Sequence, residues 1–332
     1  MTSDNCIEIA LPSDQGYFPG LLVTVYSIVA NAAKDRFLSF HILDGGISDD
    51  SFALLTEAVS RLSHQCTFQR HKISEQDFSG FPDWKGNKMT YVRFLLPTLI
   101  PDKDFVIYAD SDCLWYADIA DLWAQRENDV SIKGVFDAVG EKREIPWFAK
   151  HGIEFPSGKY FCNGLLLLNL RLFRKNSVIE RASAFIKQHQ DIQFADQSAF
   201  NFILVNDSKL LPLHWNHFTR EIRNDLVSTP VVLHYANALP WKSKLEKHFV
   251  PPYMMLWYQW YAKILNTPLR KVLHAFNVSD VLSYRLYPKV MKNTPLRRMF
   301  KIYLLLTGRL GLWPSLCNNL KYTGQIEGAE IS

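Results

Sequence analysis

The sequence has no Cys-x-x-Cys pair and none of the His/Cys spacing that holds zinc. Its five cysteines (Cys6, Cys66, Cys113, Cys162 and Cys317) are odd in number and widely scattered. A disulfide framework is therefore excluded as the organising device, and reduced, buried thiols in a cytosolic protein are expected. Nowhere do about 18 apolar residues run together, which excludes an ordinary transmembrane helix. The opening residues, MTSDNCIEIALP, lack a basic stretch followed by an apolar one, so no secretory leader is expected. Charge of one sign is lacking too: 37 Lys and Arg stand against 33 Asp and Glu, both signs are interspersed, and the net charge is only +4. Wholesale nucleic-acid binding does not fit that balance.

What is present is apolar surface, 48% of 332 residues, enough for one large domain with an appendage. The runs CIEIAL (6–11), FLSFHIL (37–43), CTFQRH (66–71) and DFVIYAD (104–110) read as strands. Between them, residues 17–32 carry helical apolar spacing, Ser48 followed by Asp49 and Asp50 caps the run SFALLTEAVSRL, and another helix is expected from near Lys88. Strands alternating with helices imply an open α/β sheet, mostly parallel, with helices on both faces. The composition shifts after Val250-Pro251-Pro252, dividing the chain into a domain over 1–250 and an appendage over 251–332. That appendage interleaves Lys271, Arg285, Lys289, Arg297, Arg298 and Lys301 with Tyr284, Phe300, Tyr303 and Trp313. Such a pattern suits a helix lying in an anionic membrane surface, or a helical subdomain packing on the core.

The stretch VIYADSDCLWYADIADLW (106–123) ends a buried strand in Asp110-Ser111-Asp112, then continues in an aromatic-rich segment that reads as a helix. In open α/β sheets ligands gather at the carboxyl ends of strands. Turn acids, one of them a helix cap, are one reading. The other is a pair of carboxylates presenting oxygens to a hard cation that neutralises substrate phosphates. An aspartyl-phosphatase reading fits poorly, because the motif lies a third of the way along the chain and Cys113-Leu114-Trp115 come directly after it. The loop Ser13-Asp14-Gln15-Gly16-Tyr17 after the first strand is expected at the same crevice.

Further motifs keep a fixed order over residues 5–245: DGGIS (44–48), TYVRFLLPTLIP (90–101), KYFCNGLLLLNLRLF (159–173), FADQSAFN (194–201), LPLHWN (211–216) and VVLHYANALPWK (231–242). Together with the Asp-x-Asp stretch they resemble glycosyltransferase family 8, most closely its bacterial lipopolysaccharide galactosyl- and glucosyltransferases. The resemblance implies a Rossmann-like nucleotide-sugar-binding domain of the GT-A type, UDP-hexose as donor, and manganese as cofactor with magnesium as a substitute. It also implies retaining transfer to an α-linkage on a glycan or glycolipid, at the inner face of the cytoplasmic membrane. Position by position, Asp110, Asp112 and His234 match the metal ligands. Asp14 matches the acid that contacts uracil, and Arg93, Asp110, Ser111, Asp137 and Asn163 match donor contacts. Asp196 and Gln197 match the pair near the anomeric carbon, although Asp196 also reads as a helix cap and Arg93 as a structural ion-pair partner. The motifs leave the route open. Same-face attack is expected, with Gln197 stabilising the developing oxocarbenium ion.

The match departs at four places. Cys162 precedes Asn163 where the family has asparagine before a small residue, and Ser198 follows Asp196-Gln197 where another aspartate is common. Asn237 replaces a glycine, and Leu239 replaces the lysine before Pro240-Trp241 that helps hold the donor diphosphate; Lys242 and Lys244 stand nearby at different positions. These departures keep a second reading open, a catalytically impaired sugar-nucleotide or glycan-binding protein of the same fold.

Overall fold

The apolar runs become strands. In a computed structural model, which describes residues 6–84, 86, 88–219, 231–236, 238–242, 252–276 and 295, the chain divides into two compact units, Met1–Asn216 and His217–Ser332. The first unit opens with β1 (Cys6–Ser13), α1 (Phe18–Asn31), β2 (Phe37–Asp44), α2 (Asp49–Ser60) and β3 (Cys66–Lys72). A 3₁₀ segment (Met89–Leu95) leads into the short α3 (Leu96–Leu99). Then come β4 (Phe105–Ala109), β5 (Cys113–Trp115), α4 (Ile119–Trp123), β6 (Ile132–Phe136), α5 (Ala138–Lys150) and β7 (Phe161–Asn169). Helices α6 (Leu170–Lys175), α7 (Val178–Gln188) and α8 (Ala195–Leu204) precede β8 (Ser208–Leu211).

Seven strands form one sheet in the order β3-β2-β1-β4-β7-β6-β8. Four neighbouring pairs are parallel, and β7 runs antiparallel to both β4 and β6. Every residue of β7 is buried, as the unbroken FCNGLLLLN run requires of a strand covered on both faces. The chain leaves β1 toward β2 on one side and reaches β4 on the other, so the crevice where strand order reverses lies at the carboxyl ends of β1 and β4.

Local chemistry sets the boundaries. Helix α1 starts with Pro19 in its first turn, where a missing N–H costs nothing. Ser48 caps α2 as expected, its hydroxyl accepting from Ser51 N, with Asp49 and Asp50 in the first turn favouring the positive end of the helix. Two expectations are corrected. The helix expected near Lys88 opens as a 3₁₀ segment, and with Pro97 in its first turn α3 extends only four residues. The aromatic segment after Asp112 is strand β5 before it is a helix. Thr24, Ser27 and Asn31, spaced along one face of α1, exchange hydrogen bonds of 2.7–3.2 Å with the backbone of Cys113 and Trp115 and hold it extended. Helix α4 starts only at Ile119, where Asp118 accepts from Ala120 N.

In the second unit, β9 (His217–Phe218) and β10 (Val232–His234) pair in parallel. Helices α9 (Pro252–Ile264) and α10 (Leu269–Ala275) come next. Met254, Met255, Trp257, Tyr258, Trp260, Ala262 and Ile264 form the buried side of α9. The boundary expected near residue 250 and the basic, aromatic stretch beyond 276, Pro295 apart, lie outside the described residues. Among the described residues no helix is long and apolar enough to cross a membrane. Cys113 and Cys162 are buried thiols, and Cys6 and Cys66 are half-buried.

Candidate functional site

The loops after β1 and β4 are tied to each other. Ser111 donates its hydroxyl hydrogen bond to the Pro12 carbonyl at the end of β1. Asp110 N continues the β4–β7 ladder to Gly164 O at 2.8 Å. Neither Asp110 nor Asp112 caps a helix; the segment is the turn between β4 and β5, and Asp118 caps the helix that follows. Asp14 opens the turn into α1, where its Oδ1 accepts from Tyr17 N at 2.8 Å. Gln15 fixes the same loop to the cap of α2, accepting from Ser48 N at 2.9 Å and donating to Ser51 Oγ at 3.0 Å.

Arg93 organises the floor of the crevice. Its guanidinium, 5% exposed, donates to Asn163 O at 2.5 Å and meets Asp196 Oδ2 at 3.1 Å and Asp110 Oδ1 at 3.3 Å. It also lies 4.3 Å over the Tyr108 ring. Burial opposes its charge, but Asp196, Tyr108 and Asp110 outweigh that penalty and hold its pKa above the ordinary value. Asp196, 2% exposed, further accepts from Thr90 Oγ1 and from Asn163 Nδ2, each at 2.6 Å. It sits in the first turn of α8 without capping it, since Phe194 occupies the cap position. The ion pair expected of Arg93 exists, within the candidate site, whereas the helix-cap reading of Asp196 is overturned.

Gln197 is held at both ends of its amide. Oε1 accepts from Asn163 N at 3.0 Å, and Nε2 donates to Asp137 Oδ2 at 3.2 Å. Asp137 caps α5 through its other oxygen, accepting from Gly140 N at 2.8 Å. Position 140 needs glycine, because a Cβ there would stand 2.5 Å from the Asp137 carboxylate and 2.8 Å from the Tyr160 ring. Just before Asp196, Ala195 takes a left-handed φ of 49°, a conformation that costs a non-glycine residue about 1–2 kcal/mol.

The donor set suits a hard cation. Asp14, Asp110 and Asp112 all act on the Tyr17 phenol, whose pKa is pushed up to about 12, first by burial and then by Asp112, Asp110 and Asp14. Carboxylates clustered around this phenol give the mouth of the sheet a negative field, and carboxylate oxygens are the ligands a hard divalent cation prefers.

A family model, glycosyl transferase family 8, matches residues 8–244. The chain belongs to this family. It is a glycosyltransferase related to the lipopolysaccharide galactosyl- and glucosyltransferases. General stress protein A of Bacillus subtilis is 25% identical over 280 residues, 76% of this chain and 93% of the relative. The lipopolysaccharide 1,3-galactosyltransferase of Salmonella typhimurium is 22% identical over 255 residues, 71% of this chain and 73% of the relative. Among solved structures, galactosyltransferase LgtC in complex with donor and acceptor sugar analogues superposes with a TM-score of 0.67 at 24% identity, over 81% of this chain and 100% of that one. That likeness fixes the GT-A-type fold.

In this glycosyltransferase His234 ends β10 in the second unit, buried, with its ring stacked on Phe218 at 5.0 Å. The segment after it is pinned by α9. Tyr235 OH donates to Tyr253 O at 2.6 Å, Tyr258 OH to Pro240 O at 2.7 Å, and Trp241 packs against Trp257 at 5.3 Å. Asn237 and Lys244 lie outside the described residues, whereas Lys242 is exposed. Sequence reasoning missed Thr90 and Tyr108. The signals were present: Thr90 lies three residues before Arg93, which a 3₁₀ helix eclipses, and Tyr108 lies two before Asp110 on a strand. Tyr108 OH donates to Asp110 Oδ1 at 3.0 Å.

Proposed function

We propose that this family 8 member transfers a hexose, galactose or glucose, from a UDP-sugar to a lipopolysaccharide-core or related cell-surface glycan, retaining configuration to give an α-linkage. The observation that supports it is the convergence of Arg93, Asp110, Asn163, Asp137, Asp196 and Gln197 on one hydrogen-bonded set at the carboxyl ends of the sheet. Similarity to lipopolysaccharide 1,3-galactosyl- and 1,2-glucosyltransferases favours a hexose.

Asp110 and Asp112 would hold manganese, or magnesium, with His234 as the third ligand implied by the family resemblance. The ion supplies neutralisation of the departing diphosphate. Asp14 and Ser111 bind the nucleotide end of the donor, and Asp137 and Asn163 the sugar. Arg93 pairs with Asp196 and fixes the Asn163 carbonyl, so the floor needs no rearrangement when charge develops. Gln197, clamped by Asn163 N and Asp137, presents its amide oxygen to the oxocarbenium ion as the acceptor attacks from the face the UDP leaves, with the β-phosphate oxygen taking the proton. Residues 1–250 carry this chemistry. Residues 251–332 bring the protein, as a peripheral partner, to the anionic inner face of the cytoplasmic membrane.

Leu239 and Ser198 favour a second reading, a binding protein that retains the donor cleft without turnover. Incubation with UDP-galactose or UDP-glucose, with and without manganese, separates the two. Metal-dependent release of UDP from one donor is expected. UDP binding without release supports the second reading, and neither binding nor release overturns both.

A further inference from the structure

Helix α5 carries a carboxyl group that the chemistry above does not use. Glu144 lies seven residues after Asp137, two turns on and on the same side of the helix. It is 0% exposed, and neither carboxyl oxygen has a hydrogen-bond partner of good geometry. Helices do not bury an unpaired carboxyl without a cost of several kcal/mol. Glu141, one turn earlier, escapes that cost by accepting from Gly158 N at 2.6 Å.

The groups facing Glu144 come from two other elements. Ser198, on α8 directly after Gln197, is close enough to favour the ionised form, and its hydroxyl oxygen accepts from Phe194 N at 3.1 Å. Tyr160, leading into β7, is likewise 0% exposed with a hydroxyl that lacks a well-aligned partner. Burial raises the Tyr160 pKa first and Glu144 adds to it, with Asp137 contributing in the same sense; Gln197 and Ser198 act in the opposite one. Among the described residues no cation contributes to the charge balance of Glu144. The Tyr160 phenol thus interacts with both Glu144 and the Gln197 side chain.

We propose that Glu144 is a proton-dependent positioning residue for Gln197, acting through the Tyr160 and Ser198 hydroxyls. With its proton on, Glu144 donates to one of these oxygens and leaves the Tyr160 O–H to the Gln197 amide. With its proton released to solvent, the carboxylate takes the Tyr160 O–H for itself, and Gln197 loses that support while keeping Asn163 N and Asp137. Burial pushes Glu144 up to about 7, so the change falls in the neutral range. The inference rests on the assignment of Gln197 to the reacting centre.

The test monitors the side-chain amide of Gln197 by NMR between pH 5.5 and 8.5 in the full chain, without donor. A one-proton transition near pH 7 is expected in the wild type, absent in Glu144→Gln. In Tyr160→Phe the Glu144 carboxyl carbon still titrates while the Gln197 amide no longer responds. An amide that is invariant with pH in the wild type, or titrates unchanged in Glu144→Gln, overturns the proposal. Should Glu144→Gln fail to fold, the wild-type and Tyr160→Phe titrations decide. This readout needs no turnover, so it fails or succeeds separately from the transferase assignment. Where UDP release is measurable, kcat falls through the transition to a lower plateau, and Glu144→Gln loses that step.

Discussion

Replacing Arg93 with methionine tests the floor of the site. The substitution keeps length and apolar stem while removing the charge. It strips Asp196, 2% exposed, of the cation 3.1 Å away, and takes the donor from the Asn163 carbonyl. Orphaning one member of a buried ion pair costs about 3–5 kcal/mol. Asp196 keeps Thr90 Oγ1 and Asn163 Nδ2 as donors, which brings the expected loss to the lower end, about 3 kcal/mol. Asp110 adds little, being half-buried and open to water. Adding Asp196→Asn removes the orphaned charge, so the double variant should regain about 2 kcal/mol over Arg93→Met alone. Urea unfolding monitored by tryptophan fluorescence measures both. A loss below about 1 kcal/mol in Arg93→Met, or a double variant no better than the single, refutes the view that Arg93 and Asp196 form one electrostatic unit.

Three further outcomes are expected. The folded chain binds the Glu144 proton more tightly than the unfolded chain does, so that contribution is complete below the unfolded value of 4.5 and is lost as pH rises through about 7. Glu144→Gln should then gain stability relative to wild type across that window, about 3 kcal/mol in full, by urea unfolding at pH 4 and pH 8. Ser48→Ala removes the cap that accepts from Ser51 N and should cost about 1 kcal/mol in thermal unfolding. Leu239→Lys should tighten UDP binding about tenfold by calorimetry, through a charge-assisted phosphate contact; an unchanged affinity would show that Lys242 or Lys244 already supplies it.

The elements that the sequence made legible are those governed by local chemistry. Ser48-Asp49-Asp50 announces a helix start by capping alone, and the apolar runs around Ile9 and Ile107 need no distant partner to read as strands. The Asp110–Asp112 turn was found because charge at the end of a buried strand is locally anomalous. Strand β5 was misread because CLWYADIADLW carries helical spacing, and the groups that extend it, Thr24, Ser27 and Asn31, lie more than eighty residues earlier. The partnership of Thr90 with Asp196 spans 106 positions and needed the fold to appear. Glu144 sits in the charged run GEKRE, which reads as a solvated helix face. Only the packing of Tyr160 and Ser198 around α5 reveals it as interior.

The central claim is that the carboxylates at the mouth of the sheet hold a cation that binds a nucleotide diphosphate. Calorimetric titration of UDP with and without manganese, on the wild type and on Asp112→Asn, tests it most directly. The account expects binding that requires the metal in the wild type and is lost in Asp112→Asn at an unchanged melting temperature. Equal UDP affinity with and without manganese, or an Asp112→Asn variant that binds as the wild type does, would contradict it.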